Sequence, residues 1–335
     1  MSKLKNGKKA NYSNIGNIPV YGANGIIGYT DKPNSPKNAI IIGRVGANAG
    51  SVFYSFKEHW VSDNAISVLP INDRVNPYYL YYALFKLDLN RLVEGSAQPL
   101  INQTILNSFD ISIPDIVFQD KVVEKILILD KKISLNKHIN DNLLELAKAS
   151  YRKVLAASNL TETKLKDFAT ITMGQSPSSK TYNEDKVGLA LLNGAADFRN
   201  GIHPSKWTTD PKRIVNKGSY IFGVRATIGL TTKVFDKYAI GRGTGSAVSK
   251  DTVNDEFLYF VLDDMFKYFS NSGTGSVYIN ISKSDFNDYI FCKPQTNDLQ
   301  KFHQTVGPIM NKIYTNKQEN LILTQVKETL LNKYF

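Results

Sequence analysis

The sequence predicts an α+β protein built twice over: two pseudo-repeated mixed α/β domains joined by two long helices that form an antiparallel coiled coil. Three observations predict it. The stretch "KISLNKHINDNLLEL" from Lys132 returns as "KIYTNKQENLILTQV" from Lys312, so that Lys132, Ile133, Asn136, Lys137, Asn140 and Leu143 recur 180 positions later. Ahead of each stretch the same order is found: an apolar run ending in a glycine-rich turn, a short helical pattern, a β-like run closed by a proline. The apolar residues of both long helical patterns fall in heptads, interrupted by asparagine at the same two layers.

Upstream, "AIIIGRVGANAGSV" (Ala39 to Val52) is answered loosely by "SYIFGVRATIGLTT" (Ser219 to Thr232), both apolar strands turning at glycines. "NPYYLYYALFKLDLNRL" and "NDEFLYFVLDDMFKYF" follow as short helices, with proline or acidic residues in their first turns. "EGSAQPLINQTILNSFDISIP" (Glu94 to Pro114) then corresponds to "SGTGSVYINISKSDFNDYIFCKP" (Ser272 to Pro294), matched at Ile101-Asn102 and Ile279-Asn280. A repeat this long signifies duplicated domains and not a solenoid.

The long helices are expected from Val117 to Ala157 and from Asn297 to Tyr334. In an antiparallel pair, Asn136 faces Asn320 and Asn140 faces Asn316. The same register sets Ile126 against Leu330, Ile133 against Leu323, Leu143 against Ile313 and Val154 against Phe302. Leu129 meets Lys327, whose stem can snorkel. Buried asparagines cost stability but fix register and orientation. The rival arrangement is two amphipathic helices, each lying on its own domain.

Composition narrows the function. With 41 basic and 30 acidic residues the chain carries +11, which favours a polyanionic partner, nucleic acid first. No apolar run is long enough for a membrane span, so no membrane is expected and a cytoplasmic location is. The single Cys292 excludes an internal disulfide and a cysteine-based zinc cluster, and His59, His138, His203 and His303 lack ligand spacing. "GRVGANAG" lacks the Lys-Ser/Thr of a phosphate loop, and "NPYY" lacks the second proline of an amino-methyltransferase motif. With no nucleophile elbow either, the chain reads as a binding protein rather than an enzyme.

Candidate DNA-contacting side chains lie in the glycine-rich loops, where the backbone can approach a groove. In the first half these are Lys8, Lys9, Asn24, Arg44, Asn48, Asn64, Ser96 and Gln98; in the second, Arg199, Lys212, Arg213, Arg225, Arg242, Thr244, Ser276 and Tyr278. Arginine can pair with guanine, and asparagine or glutamine with adenine, in the major groove. Trp60, Trp207 and the tyrosines are expected in the core.

"IPVYGANGIIGYTD" with "IIIGRVGANAG", "GSAQPLIN" and "ISIPDIVFQDKVVEKILILDKKI", together with their weaker second-half counterparts, resemble the specificity subunit of type I restriction-modification enzymes. The resemblance covers essentially the whole chain. It implies a first target-recognition domain at 1–116, a central spacer helix at 117–157, a second recognition domain at 158–295 and a C-terminal spacer helix at 296–335. Each domain would read one half of a split sequence in double-stranded DNA, and the helices would dock methyltransferase subunits, with restriction subunits joining the complex. No cofactor is implied on this chain: S-adenosylmethionine and ATP belong to the partner subunits. A coil of roughly 32 paired residues at about 1.5 Å each is a strut of about 48 Å, more than one turn of B-DNA.

One departure stands out. "TKLKDFATITMGQSPSSK" (Thr163 to Lys180) opens the second half as such domains begin, and at the 180-residue offset its equivalent would precede Met1. The first recognition domain is therefore expected to lack its opening strand. The rival functions are a specificity-like scaffold that does not read sequence and, further off, a single-chain DNA methyltransferase.

Overall fold

The structure, a computed structural model, describes all residues but 1, 14, 93–99, 200, 225–228 and 273–280. The chain folds as two compact units, Met1–Lys132 with Leu323–Phe335, and Ile133–Ile322. The long helices α3 (Ile116–Ala157) and α7 (Thr296–Tyr334) each give residues to both.

In the first unit, β1 (Ser2–Asn6), β7 (Ala65–Pro70), β4 (Ala39–Gly43) and β5 (Val52–Ser55) form an antiparallel sheet in the order β1-β7-β4-β5. A second sheet has the order β3-β2-β6, from β2 (Ile18–Gly22), β3 (Gly25–Thr30) and β6 (Trp60–Val61), with β2 and β6 parallel. The unbroken apolar run of β4 follows from burial on both faces. Ile40 and Ile42 join Val68, Leu80, Leu84 and Ile101 in one cluster, while Ile41 joins Val61 and Ala65 in another. Helix α1 (Pro77–Lys86) starts at "NPYY" because Asn76 caps it, its Oδ1 accepting from the backbone N–H groups of Tyr78 and Tyr79. The buried Gln119 of α3 pins that start, accepting from the Asn76 N–H and donating to the carbonyls of Arg74 and Pro114. A short α2 (Gln103–Asn107) follows α1.

The second unit repeats the plan at greater length. Strands β9 (Ala169–Met173), β14 (Tyr220–Gly223), β15 (Thr232–Lys233) and β17 (Thr244–Ser249) make the sheet β15-β14-β17-β9. Its second sheet, β10-β12-β11-β16-β13, comprises β10 (Tyr182–Asn183), β11 (Leu189–Leu192), β12 (Lys206–Thr208), β13 (Ile214–Val215) and β16 (Tyr238–Ile240), with β11 and β16 parallel. A ribbon of β8 (Leu160–Lys164) and β18 (Ile290–Pro294) is added, with the single turn α4 (Leu165–Phe168) after β8. Helices α5 (Asp255–Ser272) and α6 (Lys283–Asp288) complete it. Phe168, Phe222, Phe257 and Phe286 fill the core together with Ala147, Phe302 and Val306 from the long helices.

Two expectations are corrected. The first unit does have its opening strand: β1 pairs with β7 from Ser2↔Pro70 to Asn6↔Ile66, the edge place that β9 holds beside β17. The 180-residue offset fits β4 and β14 but does not extend upstream, because the second unit has a longer connection there. What has no counterpart among the described residues of the first unit is β8 with α4. Second, Leu331 and not Leu330 is the residue buried with Val122 and Ile126, because Tyr78, Tyr79 and Tyr82 of α1 join that cluster and turn the buried stripe.

Within the second unit the asparagines of α3 and α7 meet. Asn136 donates to the Asn320 Oδ1 at 2.9 Å and to Glu319 Oε2 at 2.7 Å, and Asn316 donates to the Asn140 Oδ1 at 2.8 Å. A rising number on one helix meets a falling number on the other, so these segments run antiparallel. Asn136, Asn140 and Asn316 are buried, and such amides cost stability unless bonded in this way. In the first unit Lys327 does more than snorkel. Its Nζ reaches Asp130 Oδ1 at 2.6 Å and lies over the Tyr82 ring, while the Tyr78 and Tyr82 hydroxyls both donate to Asp130 Oδ2 at 2.7 Å.

Candidate nucleic-acid interface

The parallel pair in each unit brings two distant loops side by side, since parallel strands end in the same direction. In the first unit β2 leads into Ala23-Asn24 and β6 into Ser62-Asp63-Asn64. The Ser62 N–H donates to the Tyr21 carbonyl at 2.9 Å and the Arg44 N–H to the Asn64 carbonyl at 2.9 Å, which joins the loop after β4 to the same cluster. Gly43 has no room for a side chain: a Cβ there would lie 2.6 Å from both the Ala23 and Asn48 carbonyl oxygens. Asn24, Arg44, Asn48 and Asn64 are thus gathered, the three asparagines exposed and Arg44 half-buried. The Arg44 Nε is buried with no hydrogen-bond partner among the described residues. Lys8 and Lys9 are exposed after β1, and the Lys8 carbonyl accepts from the half-buried Trp60 indole at 2.8 Å.

The second unit holds the same arrangement. The Asn193-Gly194 turn follows β11 and the Gly241-Arg242-Gly243 turn follows β16, and the Gly243 N–H donates to the Asn193 carbonyl at 3.1 Å. Val224 N–H donates to the Gly243 carbonyl at 3.1 Å, the equivalent of the Arg44 to Asn64 bond. Ser176 Oγ accepts from the Arg242 N–H at 3.2 Å and donates to Asn193 Oδ1 at 3.3 Å. Asp197 holds the first turn in shape, its Oδ2 accepting from the Asn193 and Gly194 N–H groups and its Oδ1 from Ser205 Oγ. The Arg242 side chain is exposed above this frame, and Arg199 is exposed shortly beyond Asp197.

Several candidates stand elsewhere. Lys212 is exposed but paired with Asp210 at 2.6 Å, while Arg213 is exposed and its carbonyl accepts from the Ile240 N–H at the end of β16. Thr244 is corrected: it is the first residue of β17, wholly buried, with its hydroxyl unpartnered among the described residues, so it presents nothing to a groove. Ser96, Gln98, Arg225, Ser276 and Tyr278 lie outside the described residues. Ser176 and Asn193 were missed; the glycine turn after the apolar run Leu189–Leu192 was the available signal. Below the first cluster, His59 is buried edge-on against Tyr21, and burial pushes its pKa below the ordinary 6.5.

Exposed amides and guanidinium groups on glycine-tight loops are suited to base edges and phosphates, not to covalent chemistry. No group of side chains suited to hold a metal ion is found among the described residues, nor a helix long and apolar enough to cross a membrane.

The family model described as "Type I restriction modification DNA specificity domain" matches twice, over residues 2–145 and 158–325. A putative type I restriction enzyme MjaX specificity subunit from Methanocaldococcus jannaschii is 26% identical over 301 residues, covering 80% of this chain and 69% of that protein. The type I restriction enzyme EcoprrI specificity subunit from Escherichia coli is 28% identical over 123 residues, 37% of this chain and 30% of that one. The crystal structure of a type I restriction-modification system S subunit from M. genitalium superposes with a TM-score of 0.68 at 17% identity, covering 100% of this chain and 93% of that one. That last likeness is one of fold.

Proposed function

This chain belongs to the type I restriction-modification DNA specificity family, and we propose that each of its two loop clusters reads one half of a split sequence in double-stranded DNA. The observation that carries the proposal is the same gathering of loops after a parallel strand pair in both units: Asn24, Arg44, Asn48 and Asn64 in one, Asn193, Arg199 and Arg242 in the other. Lys8, Lys9, Lys212 and Arg213 supply phosphate contacts, which position the reader without carrying sequence information.

The chain supplies recognition to a cytoplasmic complex and not catalysis. S-adenosylmethionine and adenine methylation belong to methyltransferase partners, ATP-driven cleavage to restriction partners. The helices α3 and α7 pair as an antiparallel coiled coil whose asparagine layers fix the register, and their outer faces dock the methyltransferase. Ile128, Leu135 and Leu146 on α3 and Ile322 on α7, each more than half exposed, support that docking.

The test is co-expression with the methyltransferase subunit, followed by single-molecule sequencing of host DNA for N6-methyladenine. A motif of two short halves with a fixed gap is expected, and one heptad added to both helices lengthens the gap. A soluble complex that adds no motif overturns the proposal in favour of a non-reading scaffold. Binding of S-adenosylmethionine by the chain alone would instead mark a methyltransferase.

A further inference from the structure

In the second unit, a pocket of about 130 Å³ opens where α3 and α7 run beside β15 and α5. Leu144, Met310 and Ile313 give it apolar walls, and Lys233 and Lys317 both line it. The two lysines are kept differently. Lys233 is fully answered, paired with Asp255 and set over the Tyr220 and Tyr314 rings at 5.3 and 4.9 Å. Lys317 has neither an ion pair nor a side-chain hydrogen bond among the described residues, although Asp141 lines the same pocket. It is nonetheless exposed, so a small molecule in solution can reach it. The protein packed around its amine withholds water from the charged form and pushes the pKa below the ordinary 10.5.

A lysine amine that is reachable, short of counter-charge and set beside an apolar recess is placed to act as a nucleophile. We propose that Lys317 is an acylation site, its amine accepting a short acyl group from a small acyl phosphate. The neutral amine attacks the carbonyl carbon and a C–N bond forms. The C–O bond to phosphate breaks, phosphate leaves with the electron pair, and the nitrogen gives its surplus proton to water. The acyl group settles against the Leu144, Met310 and Ile313 walls, and the amide that results carries no charge, which removes the desolvation borne by the ammonium. Asn140, whose Oδ1 accepts from Asn316, lines the same pocket, so the modified side chain sits against an asparagine layer of the two helices. The repeat supplies the contrast: Lys137 stands 180 positions earlier, on α3 in the same unit, and is exposed as well. This inference does not depend on DNA reading.

The full chain is incubated with acetyl phosphate at about pH 8, where a lysine of lowered pKa holds the larger share of neutral amine. The remaining lysines are then acetylated with a deuterated reagent after unfolding, and mass spectrometry gives the rate at each position. Lys317 is expected to react about fivefold or more faster than Lys137, and the advantage disappears when the incubation is carried out in urea, which abolishes the pocket. Leu144→Glu, which brings a carboxylate to the pocket wall, slows Lys317 and leaves Lys137 unchanged. A rate at Lys317 equal to or below that of Lys137 in the folded chain overturns the proposal, as does an advantage that persists in urea. That comparison needs no variant and stands even where Leu144→Glu fails to fold. Acetyl-CoA at the same concentration is expected to react more slowly at Lys317, because its carrier is too large for the pocket; a faster reaction overturns the acyl phosphate as donor.

Discussion

The β18 ribbon of the second unit and residues 110–114 of the first make the same approach to a long helix, yet they are finished in different ways. In the second unit the closure is aromatic, with Phe168 between Phe257 and Phe291. In the first no aromatic ribbon stands at that place among the described residues, and a polar knot has grown where α1 meets α3 and α7: Tyr78, Tyr82 and Lys327 all converge on Asp130. The difference teaches that duplication preserved the order of strands in the principal sheets while each copy found its own way to bury the side of its short helix. One way draws on dispersion and the hydrophobic effect. The other relies on a carboxylate whose desolvation is tolerable only because several donors answer it.

The largest expected effect tests the aromatic closure. Phe168→Ala should cost about 3–5 kcal/mol, measured by urea unfolding, with hydrogen exchange showing the loss in the second unit. Leu4→Ala, in β1 beside a cavity of about 280 Å³ that Leu4, Ile42, Leu84 and Ile113 line, should cost less, about 2 kcal/mol, since that site is already loosely packed. Equal costs would break the comparison.

The polar knot comes next. Asp130→Asn should cost about 1–3 kcal/mol and lower amide protection in the first unit alone, because it removes one charge from a group of donors that remain in place. Combining it with Lys327→Met should restore part of the loss, and strict additivity would mean that the two residues do not act together.

An effect of similar size concerns DNA. Arg242→Ala should weaken binding by about 1–3 kcal/mol and relax discrimination only in the half-site read by the second unit, checked by methylation sequencing of variant motifs. Arg44→Ala should do the same in the other half. Loss spread over both halves would contradict separate readers.

The smallest is a pH effect confined to the first unit. Burial lowers the pKa of His59 below 6.5, so near and below that pH the unfolded chain binds the proton more readily than the folded one. Stability contributed by the neutral ring is therefore present above pH 6.5 and lost as pH falls through it. His59→Gln should flatten that dependence between about pH 5.5 and 7, followed by thermal melts. An unchanged slope would assign the acid sensitivity elsewhere.

The asparagine pairs were legible because a polar residue at a heptad core position is an anomaly that demands a partner, and the heptad names it. The gathering of Asn24, Arg44, Asn48 and Asn64 was legible only as a set of glycine-rich loops. Their convergence depends on the parallel pairing of β2 with β6, strands about forty residues apart, which no local pattern encodes. Asn193 and Ser176 were missed for the same reason: the glycine turn after Leu189–Leu192 marks a loop but not the neighbour that the parallel pairing of β11 with β16 brings to it. Thr244 was misplaced because it follows a glycine-arginine-glycine turn, yet strand β17 begins at that residue and turns it inward. The presence of β1 was obscured by assuming one offset throughout a repeat whose loops differ in length.

The close contact at Gly43 has a consequence for heredity. Its backbone is pressed against the Ala23 and Asn48 turns, and the neighbouring Arg44 N–H bonds the Asn64 carbonyl of the third loop, so the shape of each gathered loop is constrained by the others. A new specificity then cannot be acquired one residue at a time without disturbing neighbours already fitted to each other. Variation in such a domain is expected to travel as a block, exchanged whole between genes, with the junctions falling in the long helices that any two copies can share.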